Sequence, residues 1–335
     1  MPSLQRLMPG QTGRVLRQLS WALTAVGNEL FRFRFSYPID TVAEAIQAGS
    51  CRYYIYSETL FRDQLSFDDQ GVVVRTYRAQ GRQYNPVFIA WWALMSLERD
   101  SRESNPDHLK SFYSQVQWLK ENAVLRPDGA AVWPYNFDWQ EGRCRLKAPW
   151  ISAMSQGLAL SVLVRAFRLT QDDRLLSLGE QSARVFERYV EDGGVRTQED
   201  SHVLYEEYPG YPLARVLDGF LFSLLGLYDL AQELKSAKIR KLFDDGVDGL
   251  KFKLADWDYR GKWTWYGTHG YLCPPHYHRL NGTLVAILAH ITKDAFLMRF
   301  AERWNRQTLS SLDKAEIFVL FALTKSLARL RLPRN

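Results

Sequence analysis

Two adjacent carboxylates stand between tyrosines in Tyr205-Glu206-Glu207-Tyr208-Pro209, and a third tyrosine follows after one glycine in Tyr211-Pro212. The prolines forbid helix and push the residues before them towards extended geometry, so the stretch reads as a stiff loop. An apolar run over residues 213–230 comes next, which places the loop at the mouth of a helix, where rigid scaffolds present chemistry. A carboxyl group and a phenol held together can take and return protons. The same residues would also serve as an acidic loop end whose tyrosines pack their rings and hydrogen-bond their hydroxyls.

Four further loops concentrate aromatic, amide and basic side chains. Gly81-Arg82-Gln83-Tyr84-Asn85-Pro86 opens a helix, and Trp133-Pro134-Tyr135-Asn136-Phe137-Asp138-Trp139 presents a run of rings. Residues 146–157 carry Lys147, Trp150 and Gln156, with Arg165 a few turns beyond. Residues 263–281 carry Trp265, Tyr266, His269, Tyr271, His276, Tyr277, His278, Arg279 and Asn281. Taken singly, Trp133, Trp139, Trp150 and Trp265 suit packing, Lys147 and Arg165 suit salt bridges, and Asp218 suits a structural hydrogen bond inside its apolar helix. Taken together on one helical array they suggest a carbohydrate groove, because sugar CH faces stack on rings while hydroxyls take hydrogen bonds. His269, His276 and His278 lack the clustered spacing of a closed zinc site, so no metal is expected there.

Composition narrows the partner. Aromatic residues make up 14% of the 335 residues and the net charge is +6, a balance that favours polyanions. No Lys/Arg tail and no recognition-module motif points to nucleic acid. An acidic polysaccharide suits arginine and aromatic groups jointly, since guanidinium forks pair bidentately with carboxylates. Cys51, Cys144 and Cys273 are odd in number and far apart, which excludes a disulfide framework.

Around these loops the elements read as follows. Leu16, Leu19, Leu23, Val26 and Leu30 recur at helical spacing, predicting an amphipathic helix docked on its own domain, with a membrane-surface helix as the alternative. Arg52-Tyr53-Tyr54-Ile55-Tyr56 and Val72-Val73-Val74-Arg75-Thr76-Tyr77, parted by Asp68-Asp69-Gln70-Gly71, predict two or three short strands. After Pro86 the spacing predicts helices over 87–98, 108–121, 152–169, 174–190, 213–230, 239–252, 281–291, 296–309 and 314–330. The expectation is a mainly α chain: an N-terminal helix and small β element over 1–80, then an (α/α) barrel or toroid of helical hairpins over 81–335. No cleavable signal is evident, so the cytoplasm is expected, at the inner membrane face if the chain joins an envelope-building assembly.

Several of these motifs, in order, resemble D-glucuronyl C5-epimerases. Residues 146–157 with Leu160-Ser161-Val162-Leu163-Val164-Arg165-Ala166-Phe167 look like that family's central motif. Glu206-Glu207-Tyr208-Pro209, Val216-Leu217-Asp218-Gly219-Phe220 and Ser223-Leu224-Leu225-Gly226-Leu227-Tyr228-Asp229-Leu230 resemble its C-terminal signature. Tyr84-Asn85-Pro86-Val87-Phe88-Ile89-Ala90 and Tyr277-His278 extend the likeness, which covers roughly 80–305. The resemblance implies inversion at C5 of D-glucuronate in a heparosan-like chain. It implies Glu207 and Tyr277 as opposed proton-transfer groups, with Tyr208 and Tyr266 orienting or relaying. Substrate contacts are expected from Arg82, Tyr84, Asn85, Trp133, Lys147, Trp150, Gln156, Arg165, His269, His278, Arg279 and Asn281. Tyrosine can do such work if nearby cations or a relay lower its pKa from about 10.

The same resemblance carries calcium and a homodimer as further expectations. Peripheral membrane or biosynthetic-complex association is expected from the N-terminal segment and the lack of an evident signal, and the sequence itself supports no cofactor and no nucleic acid. Two positions depart from the pattern: His269 stands where the family has arginine, with Arg279 a substitute, and Asn281 stands where it has histidine. A β-eliminating uronate lyase and a non-catalytic binder of acidic glycans remain the other readings.

Overall fold

The computed structural model describes residues 20, 23–60, 65–306 and 309–331. The expected 16–31 helix is seen as α1 over 23–31, and its earlier residues lie outside the described ones. Helix α2 (Pro86–Glu103) pairs with α3 (Pro106–Glu121), and α4 (Ala153–Thr170) with α5 (Asp173–Ala183). In the same way α6 (Leu217–Leu234) pairs with α7 (Ala237–Lys253), and α8 (Pro275–Thr292) with α9 (Ala295–Trp304). Helix α10 (Ser311–Arg331) closes the described chain. The first partner of each pair has 18 residues and is buried along most of its length. These inner helices pack in sequence order, α2 on α4, α4 on α6 and α6 on α8, with the second partners outside. The result is an (α/α) toroid of helical hairpins.

The connections are strongly asymmetric. Every inner-to-outer link is two residues long: 104–105, 171–172, 235–236 and 293–294. The first residue of each (Ser104, Gln171, Lys235, Lys293) takes a left-handed conformation that ends the inner helix. The second (Asn105, Asp172, Ser236, Asp294) caps the outer helix through its side chain. All the long outer-to-inner links, 122–152, 184–216 and 254–274, therefore emerge at the opposite rim, where inner helices begin. They are built as small antiparallel hairpins: β6 (Val124–Leu125) on β7 (Ala131–Val132), β8 (Trp139–Glu141) on β9 (Cys144–Leu146), β10 (Arg196–Glu199) on β11 (His202–Tyr205), and β12 (Asp258–Tyr259) on β13 (Trp263–Thr264). Arms of two to four residues give no readable period, which is why the sequence shows them as loops.

The N-terminal β element is as small as expected. β1 (Asp40–Thr41) pairs with β2 (Ile55–Tyr56), and β3 (Ser66–Phe67), β4 (Val73–Tyr77) and β5 (Gly81–Gln83) form one sheet beside α2. One hydrophobic core runs from Ile39 to Trp304 and packs the β element against the helical pairs. Several helix ends differ from the periodicity: α2 runs on to Glu103 rather than stopping at 98, and α8 begins at Pro275 rather than 281, which puts Tyr277, His278 and Arg279 on the helix. Residues 213–216 stay outside the helix, with Arg215 in a left-handed conformation, and Thr268 and Trp257 hydrogen-bond the carbonyls of Leu213, Ala214 and Arg215. The helix expected over 174–190 breaks at Ala183 into 3₁₀ turns, and the one expected over 296–309 ends at Trp304. Among the described residues no helix is long and apolar enough to cross a membrane. α1 docks instead, with Glu29 meeting Lys325 and Arg329 of α10.

Two devices hold the inner helices together. Gly157 of α4 and Gly226 of α6 bring the two backbones into direct contact, and a Cβ at either would strike the facing chain. Below them Arg165, wholly buried, pairs with Asp229 at 2.6 Å and donates to the Arg52 and Ser161 carbonyls. Tyr54 and Ser161 hydroxyls donate to the same carboxylate at 2.6 Å each. Removing one member of such a pair strands the other charge in the core. Asp229→Ala is expected to cost about 3–5 kcal/mol of stability, read from urea unfolding; a loss below about 1 kcal/mol would contradict this role.

Candidate active site

At the rim where inner helices begin, the loop of Glu207 and Tyr208 meets the first turns of α6 and α8. Its backbone is fixed on both sides. Tyr205 donates to the Leu242 carbonyl at 2.8 Å, while Glu206, buried, accepts from Thr197 and is paired with Arg215. These neighbours are thereby spent on structure, and Glu207 is left facing the rim. Its side chain lies against Gly219, where any Cβ would overlap the carboxyl group. Glu207 Oε2 is buried and has no hydrogen-bond partner. A buried carboxylate oxygen without a donor is costly, and calls for a functional account.

Around that carboxyl group stand tyrosines and two more acids. Tyr208 is beside Glu207, and its ring centroid lies 6.1 Å from that of Trp150, which stacks on Tyr135 at 3.9 Å. Tyr266 sits 5.5 Å from Tyr277 and 5.4 Å from Tyr271, ring to ring. Asp218, in the first turn of α6, is buried, and Glu141 reaches in from β8 to pair with His269 Nε2 at 3.0 Å. That contact is at ion-pair distance but off the line of a hydrogen bond, and His269 Nδ1 lies 2.9 Å from the Tyr266 carbonyl. Neither α6 nor α8 has a side-chain N-cap, so the positive ends of two helix dipoles face this cluster.

Electrostatics follow from burial. Desolvation and the Asp218 charge push the Glu207 carboxyl well above the usual carboxylate range, and burial with Glu141 nearby brings Asp218 up to about 7. Burial and the surrounding acids also raise Tyr208, Tyr266 and Tyr277 well above 10. The lowering expected for tyrosine is thus reversed, because the cluster holds more acids than bases. The phenols are neutral proton donors, and Glu207 once ionised is a stronger base than an exposed carboxylate.

The structure brings Glu207, Tyr208, Tyr266, Tyr277 and His269 together, with Trp150 in the adjoining wall. Other residues expected at the site face elsewhere. Trp133 is buried and donates to the Leu119 carbonyl, and Gln156 spends its amide on Trp133, Ala131 and Ser182. Asn85 caps α2 and links the Tyr77 and Tyr135 hydroxyls, while Arg165 belongs to the Asp229 network. Arg82 donates to the Phe67 carbonyl, Tyr84 donates to Asp68, and exposed Lys147 pairs with Asp138. Both ring nitrogens of His278 are taken, by Thr264 and the Trp304 carbonyl, and burial lowers it to about 3. Arg279 turns to Asn305, and Asn281 is buried with its amide on Cys273 and its Oδ1 unpartnered. His276 lies between the Tyr37 and Tyr277 rings, so the three histidines do not converge. Among the described residues no three His, Cys, Asp or Glu side chains are grouped to hold a metal ion.

Sequence reading missed Glu141 and the acidic role of Asp218. Gln140-Glu141-Gly142-Arg143 looks like a solvated turn, and Asp218 looks like a buried helix polar group. Only the fold shows that both face Glu207.

A toroid whose rim holds a desolvated carboxyl group among neutral phenols defines a site for moving protons on a bound molecule. The family model described as D-glucuronyl C5-epimerase C-terminus matches residues 127–306, more than half of the 335-residue chain. The chain belongs to the D-glucuronyl C5-epimerase family through that C-terminal region. A "D-glucuronyl C5-epimerase" of Caenorhabditis elegans is 34% identical over 237 residues, 65% of this chain but 38% of the relative's own length. The match thus spans well under half of that relative. A solved cellobiose 2-epimerase from Bacillus thermoamylovorans B4167 superposes with a TM-score of 0.47 at 12% identity, over 73% of this chain and 67% of that one.

Taking away the Asp218 charge favours the ionised form of Glu207, so the Glu207 titration in Asp218→Asn moves to lower pH. Difference infrared spectroscopy is expected to show the variant losing the protonated-carboxyl band of Glu207 at lower pH than wild type does. An unchanged titration would contradict the coupling.

Proposed function

We propose that this chain inverts C5 of D-glucuronate units in an acidic, heparosan-like polysaccharide, giving L-iduronate. The observation that carries the reading is the unpartnered, desolvated carboxyl oxygen of Glu207 beside neutral tyrosine hydroxyls. Epimerisation needs a base on one face of the sugar ring and an acid on the other. Glu207 takes the C5 proton, the electron pair delocalises into the uronate carboxyl group, and the Tyr277 hydroxyl returns a proton to the opposite face. That leaves Glu207 protonated and Tyr277 as phenolate; Tyr208 and Tyr266 pass protons between the pair and solvent to restore them. The reverse direction exchanges the two roles. Trp150 and Tyr135, stacked in parallel, offer the flat apolar wall on which a sugar face rests.

The test is a glucuronate polysaccharide carrying deuterium at C5. Wild type is expected to release the label, while Glu207→Gln and Tyr277→Phe each lose about 10²–10⁴-fold in rate with folding intact. Label release by Tyr277→Phe at the wild-type rate would contradict the assignment. Release accompanied by an ultraviolet-absorbing unsaturated uronate would instead identify a lyase.

A further inference from the structure

A second acidic group, the uronate carboxylate, must enter a rim that already holds Glu207, Asp218 and Glu141. Its charge has to be neutralised before C5 becomes acidic, and the expected cation is committed elsewhere: His269 faces Glu141 at 3.0 Å. Arg279 is two residues from Tyr277 on α8, hence on another face of the helix, and its guanidinium is turned to Asn305. Lys325 lies over the Tyr271 ring but is held by Glu29 at 3.3 Å. Arg215 is held by Glu206 and Glu199.

Arg75 is different. It stands on β4 between Val73 and Tyr77, and the two-residue period of a strand puts all three on one face. Val73 and Tyr77 are buried there, so Arg75 is directed inward and is itself half-buried. Its guanidinium carbon lies 4.8 Å from the Tyr77 ring centroid and 4.7 Å from that of Phe88, in the first turn of α2. The Tyr77 ring continues into the wall of the site: 5.2 Å to Phe137 and 5.5 Å to Trp139, whose indole N–H donates to Glu141. Among the described residues no carboxylate pairs with Arg75. An inward arginine resting on two rings, with no anion of its own, is a cation waiting for one.

We propose that Arg75 is the carboxylate-binding residue of this site, pairing with the uronate carboxyl group in place of the arginine that His269 replaces. The assignment rests on the epimerase reading above. Its positive charge acts on the Tyr277 hydroxyl, opposing the upward push of burial and the neighbouring acids.

The experiment compares wild type, Arg75→Lys and Arg75→Gln on a glucuronate oligosaccharide and on its carboxyl-reduced, glucose-containing counterpart. Binding is measured by calorimetry and C5 exchange by NMR in deuterated water, with thermal melts confirming the fold. Wild type is expected to prefer the carboxylate ligand, Arg75→Gln to lose that preference and at least ~10²-fold of exchange, and Arg75→Lys to recover part of both. Arg75→Gln that keeps the preference and the wild-type exchange rate would overturn the assignment while leaving the epimerase reading standing. If Arg75→Gln does not fold, an Arg75→Lys variant indistinguishable from wild type on both ligands overturns it. Wild type that exchanges no C5 hydrogen overturns the parent reading, and the assignment with it.

Discussion

Everything distinctive in this molecule depends on holding one carboxyl group out of water with the Tyr208 hydroxyl beside it and one oxygen, Oε2, left without a partner. Burying an ionisable group costs free energy unless it is paired, and proteins ordinarily answer with a hydrogen bond or a counter-charge. At Glu207 neither is supplied to Oε2. The adjacent Glu206 receives both, from Thr197 and Arg215, which anchors the loop beside Glu207. Two neighbouring residues of one type thus divide structure from chemistry. The absent side chain of Gly219 makes room for the result.

The toroid is the means of enforcing that position. Inner helices of equal length, joined to their outer partners by links of two residues, send every long connection to the same rim. The residues of the cluster come from the turn at β8, the loop before α6, and the loop and first turn of α8, which are far apart in sequence and adjacent only in this arrangement. The Gly157–Gly226 contact and the Arg165–Asp229 pair fix α4 against α6 and so fix the base on which the rim stands. A cluster of three acids is tolerated there because burial favours the protonated forms of Glu207 and Asp218, because Glu141 is paired with His269, and because two helix N-termini face it.

Much of this was legible in the sequence, and the limits are physical. Helical periodicity located α2 to α10 because long amphipathic or fully apolar runs carry a strong 3.6-residue signal. The prolines and paired acids of 205–209 marked the central loop. Hairpins such as β8–β9 carry too few residues to show a period, so Glu141 could not be placed. Polar residues inside apolar runs, such as Gln156, Arg165 and His278, look alike in sequence whether they face a substrate or a backbone carbonyl. Only packing separates those cases, and here it turned all three inward. The sign of the tyrosine shifts was likewise invisible, since it depends on how many acids and cations the fold brings within reach.

The central claim is that a desolvated carboxyl group and a neutral phenol act from opposite faces of one sugar ring. The most direct measurement is proton NMR of wild-type protein with heparosan in deuterated water. Deuterium at C5 is expected together with the appearance of L-iduronate signals. Bound polysaccharide with no deuterium at C5 and no iduronate would contradict it.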